Sequence, residues 1–245
     1  MRNIKLIIQY DGSRYKGFTI KKDIDLTVES KIVQVLEKMT NEEVVLIGCE
    51  RMDVGAHAQN YVANFKTECT LSEEIMLDYL YEYLPEDIVV KSVEEVDERF
   101  HARYHVKSKT YTYTINCNMQ RDVFNRKYVH HIDYEFDLEN MRQVAEIFKG
   151  NHDFQSFTSI KSSNKSTRKT INDIIINEKG KIIQITITAD DFLLHMQRSI
   201  IGIIIEAGKR NITPQYAQKI MDNRVRVTDI PMGKAKALSL IEVRY

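Results

Sequence analysis

Asp53 lies in the segment CERMDVGAHA, residues 49–58, two places after Arg51 and two before Gly55, with His57 close behind. The segment follows Val44-Val45-Leu46-Ile47, an apolar run that reads as a buried strand. A carboxylate in a polar turn at a strand end can act as a nucleophile on a sugar carbon or an electron-poor base ring. A neighbouring arginine keeps such a carboxylate ionised and oriented. Gly55 gives the turn backbone freedom and allows close approach. A plainer reading is open at this point: Asp53 caps the turn, or pairs with Arg51 for structure. Two other segments carry chemistry, RFHARYHVKSKTYTYTI from Arg99 and FLLHMQRSIIG from Phe192. A tyrosine can stack on a base and also hydrogen-bond. Tyr111 and Tyr113 fall on one face of an alternating stretch, so either fits that role. Arg198 sits in an otherwise apolar helical pattern and needs a buried partner there, for which Asp53 is a candidate.

Other chemistries find no support. There is no GxSxG, no Gly-rich phosphate loop and no HExxH. Cys49, Cys69 and Cys117 are far apart, which argues against structural zinc and for reduced thiols in a cytoplasmic protein. His130-His131 lacks ligand partners at helical spacing, so no metal role is expected there. His57 and His101 read as structural hydrogen-bonders. The opening MRNIKLIIQYDG is a short alternating strand and not a signal peptide, and the longest apolar run, Ile200 to Ile205, is too short for a membrane span.

The elements that must position these residues follow a plan. Strands are expected over 3–10, 43–49, around Tyr61–Phe65 and over 88–96. Thr27 caps a helix burying Val28, Ile32, Val35, Leu36 and Met39. Ser72 caps another burying Ile75, Met76, Tyr79, Leu80 and Tyr83. This is the β-α-β-β-α-β, or split βαβ, order. A second half repeats it: a strand over 107–116, a helix capped by Asp137, strands 171–177 and 181–188, a helix through Phe192 to Ile204, a short helix after Thr213-Pro214, and a final strand LSLIEVRY. The expected fold is therefore α+β, two tandem halves of 1–104 and 105–245 with antiparallel sheets around a central cleft.

Net charge is zero over 245 residues, so binding to a polyanion must come from local patches. Three stand out: Arg14, Lys16, Lys21 and Lys22; Arg121, Arg126 and Lys127; and the loop from Thr158 to Thr170, where Lys161, Lys165, Arg168 and Lys169 have no acidic neighbour. Basic residues among small hydroxyl side chains suit contact with phosphates and are poorly suited to reading base edges.

Seven segments in order, YDGSRYKGF from Tyr10, RMDVGAHA from Arg51, RFHARYHVKSKTYTYTI, GNHDFQSF from Gly150, RKTI from Arg168, FLLHMQRSIIG and LSLIEVRY, resemble those of the TruA family of transfer-RNA pseudouridine synthases. The resemblance implies a cofactor-free, metal-free isomerisation of uridine to pseudouridine in RNA, with transfer RNA and its anticodon stem-loop the expected target. It implies Asp53 as nucleophile, Tyr111 stacking on the flipped base and taking part in later proton removal, and Arg198 pairing with the aspartate. Arg51 corresponds to the residue that helps displace the base, and Arg103, Lys109 and Arg168 fall on substrate-binding positions. It also implies a cytoplasmic homodimer. Departures are Phe18-Thr19, Met52, Ala56, Lys109, Asp190 and Ala237. They suit a paralogue with a changed RNA target, such as ribosomal RNA, better than a dead enzyme. A non-catalytic RNA-binding protein or chaperone that keeps the fold is the alternative.

Overall fold

The computed structural model describes residues 1–20, 26–158, 166–223 and 230–245. Lys21, Lys22, Lys161 and Lys165 of the expected basic patches lie outside the described residues. Two compact units result, one of residues 1–107 with 239–245, the other of 108–238.

The first unit contains β1 (Arg2–Tyr10), α1 (Val28–Thr40), β2 (Ile47–Gly48), β3 (His57–Thr67), α2 (Glu73–Tyr83) and β4 (Ile88–Val96). β1 pairs antiparallel with both β3 and β4. α1 starts at a reciprocal cap: Thr27 Oγ1 accepts from Ser30 N at 3.2 Å and Ser30 Oγ accepts from Thr27 N at 3.3 Å. Its inward face buries Val28, Ile32, Val35 and Leu36. Ser72 caps α2, which buries Met76 and Leu80. Ile75 and Tyr83, expected inside, are exposed, so α2 buries a narrower stripe than its apolar residues suggest. The strand expected over 43–49 shrinks to Ile47–Gly48, paired with Asn64 and Ala63. Val45, at 72% exposure, points to solvent between buried Val44 and Leu46.

Another strand, β10 (Leu238–Arg244), runs parallel to β3, with Ser239 opposite His57 and Leu240 opposite Ala58. Asn60 Nδ2 donates to Ile241 O at 2.7 Å, and Lys107 N to Arg244 O at 2.8 Å. The compact units thus differ from a simple cut at residue 104, because this late strand completes the edge of β3.

The second unit contains β5 (Ser108–Asn116), β6 (His130–His131), α3 (Leu138–Phe148), β7 (Gly150–Asp153), β8 (Arg168–Lys179), β9 (Ile182–Ala189), α4 (Met196–Gly208) and α5 (Pro214–Asn223). β9 lies between β5 and β8, antiparallel to both, and β7 follows on β8. α4 is apolar around most of its circumference and buried, as a central helix must be. It begins at Met196, so Phe192, expected on the helix, precedes it. α3 comes close to its end: a Cβ at Gly208 would stand 2.5 Å from Phe136 and 2.7 Å from the Met141 sulfur. No described helix is long and apolar enough to cross a membrane.

Candidate active site

The turn that carries Asp53 is built by three segments far apart in sequence. Cys49 N donates to Val62 O at 2.9 Å, and the Tyr61 hydroxyl donates to Glu50 O at 2.5 Å. These bonds tie the stretch after β2 to the side of β3. The chain then reverses, with Ala56 N donating to Asp53 O at 3.1 Å and Gly55 at φ +82°. That torsion is costly for any residue with a Cβ. The Asp53 side chain is half-buried at this turn, between buried Met52 and exposed Val54.

The Asp11-Gly12 loop packs on the turn from another direction. Gly12 N donates to His57 Nδ1 at 3.0 Å. A Cβ at Gly12 would stand 1.8 Å from Ala56 O, so this approach admits no side chain. His57 is therefore a structural hydrogen-bonder that holds the Gly12 backbone.

The third segment is residues 97–104. Two buried asparagines hold it. Asn3 Nδ2 donates to the carbonyls of Asp97 and Phe100, both at 2.9 Å, and its Oδ1 accepts from Asn64 Nδ2 at 2.9 Å. Asn64 Oδ1 accepts from Ala102 N at 2.8 Å, and the Tyr245 hydroxyl donates to Ala102 O at 2.7 Å. So fixed, the segment sends Arg103 Nε to Gly48 O at 3.2 Å. Arg103 also acts on Glu29, whose carboxyl is pushed up by burial against the opposing pull of the Ile20 N–H and of Arg103. His101 Nδ1 accepts from the N–H groups of Arg103 and Tyr104, the structural role expected of it. Arg51 is exposed on the same unit.

Phe18 stands where the family resemblance leads one to expect a tryptophan, and it is buried. It stacks on Tyr61 at 3.9 Å between centroids, with Tyr10 6.1 Å from both rings. A Cβ at Gly48 would meet the Tyr61 hydroxyl at 2.1 Å and Phe18 at 2.8 Å. The aromatic cluster thus supports the floor of the Asp53 turn.

In the second unit, Lys109, Tyr111 and Tyr113 alternate onto one face of β5, opposite Ala189, Ile187 and Ile185 of β9. All three are buried. Lys109 is an ion-pair residue: its Nζ lies 2.8 Å from Asp191, which Lys169 also approaches at 2.5 Å. Burial pushes the Asp191 carboxyl up, but the two ammonium groups outweigh it and hold it below the usual range. Asp190 fixes the same corner by accepting from Thr170 N at 3.0 Å and Asp191 N at 2.6 Å. Arg168, exposed on β8, bonds Asn151 through Nε and Nη2 at 3.3 and 3.0 Å.

The two tyrosines have different surroundings. Tyr111 meets Phe192 edge-on, with centroids 5.2 Å apart. Tyr113 is locked by its hydroxyl, which accepts from Lys234 N at 2.8 Å and lies 2.8 Å from His130 Nδ1. Burial raises the Tyr113 hydroxyl well above its ordinary range.

His130 is pushed down to about 4 by burial and by Lys234, Lys236, Lys209 and His131. An unfolded histidine titrates near 6.5. Between about pH 6.5 and 4 the unfolded chain therefore binds the extra proton, and stability falls as pH is lowered through that window. The expected loss is on the order of 1–2 kcal/mol after solvent screening. Urea melts at pH 7 and pH 4.5 should show it in the wild type and less of it in His130→Gln. Equal losses in both would rule out His130 as the source.

Arg198 occupies the first turn of α4. Its Nε donates to Gly233 O at 2.7 Å, and Gly233 N donates back to Arg198 O at 2.9 Å. This reciprocal pair fixes the root of the guanidinium. It requires the 231–234 stretch to lie hard against α4. A Cβ at Gly202 would stand 1.9 Å from Pro231 O, and one at Gly233 3.0 Å from the Tyr113 ring. Just before the helix, His195 holds φ +66°, an uncommon torsion for a residue with a side chain. Sequence reasoning missed His195, Gly202, Gly233 and Lys234. The absence of Ser, Thr, Asp or Asn at the α4 cap was the one available signal.

Among the described residues no group of three His, Cys, Asp or Glu side chains is placed to hold a metal ion. Residues 144–245 match the family described as tRNA pseudouridine synthase. The tRNA pseudouridine synthase A 1 of Clostridium tetani is 49% identical over 245 residues, covering 100% of both chains. The chain belongs to the tRNA pseudouridine synthase A family. Other family members of the same extent are the synthase A 2 of Bacillus anthracis, 37% identical, and the synthase A of Acetivibrio thermocellus, 38% identical, each over 100% of both chains. A solved Cbf5-Nop10-Gar1 complex overlaps with TM-score 0.41 and 10% identity, covering 97% of this chain and 48% of that one, a likeness too distant to build on. As a pseudouridine synthase of this family, the chain seats its YDG loop on His57 of the RMDVGAHA segment and Arg103 of its FHAR segment on Gly48 just before it, all within one compact unit.

Proposed function

We propose that this synthase isomerises uridine in the anticodon stem-loop of transfer RNA, with Asp53 as nucleophile, as a homodimer in the cytoplasm. The supporting observation is the Asp53 turn itself. Gly12, Gly48, Tyr61 and Arg103 all constrain its backbone or its floor, which is more support than a surface cap requires. The reaction conserves every atom. The target nucleotide leaves its stack. The Asp53 carboxylate attacks, and the bond from C1′ to N1 breaks. The uracil turns, C5 bonds to C1′ and the bond between Asp53 and C1′ breaks, which frees the carboxylate; the C5 proton departs and N1 gains one. No electrons are transferred overall, so the chemistry calls for neither reductant nor oxidant. Tyr111 supplies a flat face for the base and a hydroxyl for the proton step, and Arg198 supplies fixed positive charge. Arg51 and Arg103 serve the RNA from the Asp53 unit, Arg168 from the other. Lys109, paired with Asp191, acts on substrate by setting the face that carries Tyr111.

The test is to incubate purified protein with unmodified transfer-RNA and ribosomal-RNA transcripts and map pseudouridine by site. Conversion in the anticodon stem-loop is expected. Conversion confined to ribosomal RNA would overturn the substrate, and none in either would overturn the activity.

A further inference from the structure

Residues 117–128 take no part in the site above, yet they form a well-built turn. Asp122 Oδ1 accepts from Phe124 N at 2.9 Å and Asn125 N at 3.0 Å, while Oδ2 accepts from Asn125 Nδ2 at 2.6 Å. Tyr128 N donates to Asn125 O at 2.8 Å, and Arg126 Nη1 donates to Val123 O at 2.5 Å. Lys236 Nζ ties the turn to the 230s by donating to Arg126 O at 2.6 Å. The turn presents Phe124 at 90% exposure, with Met119 and Val123 also exposed.

The turn itself carries Arg121, Arg126 and Lys127, and Lys236, with Lys234 two places before it, joins them through its bond to Arg126 O. Their crowding has an electrostatic signature. The Lys236 ammonium is held below its usual range by burial, then by Lys234, Arg121 and Arg126. Asp122 is the only carboxylate between residues 117 and 132, and its oxygens are engaged in the turn. Concentrated positive charge around a projecting aromatic ring is the arrangement that binds single-stranded nucleic acid.

We propose that Phe124 stacks on an unpaired base of the RNA, with Arg121, Arg126, Lys127, Lys234 and Lys236 taking the flanking phosphates. The proposal rests on RNA being the substrate and adds a docking site outside Asp53, Tyr111 and Arg198. A second copy of the chain fits this surface less well. A twofold interface here would set the cation cluster against itself, and interface cores are depleted of charge.

The chain has no tryptophan, so Phe124→Trp provides a single indole reporter. Titrated with transfer RNA, its emission should quench saturably, and Phe124→Ala should bind about tenfold or more weakly. Arg121→Gln with Lys236→Gln should flatten the log–log salt dependence by roughly 0.7 to 0.9 for each phosphate no longer neutralised. Unchanged emission at RNA saturation, or unchanged affinity of Phe124→Ala, would overturn the proposal. So would a shift of Phe124→Ala from dimer to monomer in sedimentation at unaltered RNA affinity, which would make the turn a subunit interface. Wild-type conversion of uridine in the same RNA separates the two readings. Conversion without quenching sinks this site alone, whereas neither binding nor conversion sinks both.

Discussion

Asn in place of Asp53 should lower turnover by at least about four orders of magnitude while fold and RNA affinity stay near wild type. The reason lies in how the turn is made. Its closing bond uses the Asp53 carbonyl, its torsion depends on Gly55, and its closest packing is against Gly12. None of these involves the carboxylate, and the amide is nearly the same size. The substitution therefore leaves these three constraints in place while it removes the carboxylate's charge. Single-turnover pseudouridine formation, gel-shift affinity and a thermal melt on the same preparation make the comparison. Turnover within tenfold of wild type in Asp53→Asn would remove Asp53 from the mechanism. Lost affinity together with a lowered melt would instead return it to a structural role.

The second large effect is expected at Tyr111. Phenylalanine there keeps the ring that meets Phe192 and loses the hydroxyl, so RNA binding should persist while turnover falls by about 10²- to 10⁴-fold, the span of general acid–base catalysis. Tyr113→Phe should behave differently. Its hydroxyl bridges Lys234 N and His130 Nδ1, so its loss leaves two partly buried groups unpaired and should cost about 1–3 kcal/mol of stability. Turnover should then fall modestly, through loosening of the 231–234 stretch that anchors Arg198. Parallel denaturant and kinetic series on both variants decide the matter. A stable Tyr113→Phe without turnover, beside an active Tyr111→Phe, would reverse the assignment.

Much of the local structure is legible in the sequence because it depends on short-range chemistry. Thr27, Ser72 and Asp137 each cap the helix expected of them, since a side-chain acceptor within three residues of free N–H groups is a local fact. Asp53, Tyr111 and Arg198 stand out by residue type and spacing, with the family resemblance assigning their roles. What escapes is long-range. Nothing near Lys109 in sequence announces Asp191, and nothing near Tyr113 announces Lys234. Gly12, Gly202 and Gly233 look like ordinary turn or helix glycines until the opposing backbone is placed beside them. β2 reads too long because Val44 to Ile47 are uniformly apolar, whereas Val45 faces water. Apolarity reports preference for an interior, and only pairing reports a strand.

The position of β10 bears on how this protein is born. Ser239 and Leu240 pair with β3 and Tyr245 pins Ala102, yet all three emerge from the ribosome only after the whole of 108–238. The sheet beside the Asp53 turn thus waits, one edge unclosed, through the synthesis of an entire second unit. Such a late and distant partner slows assembly and leaves an open edge exposed to other chains. A nascent chain halted before Ser239 would hold Asp53 in its sequence without the strand that finishes its setting.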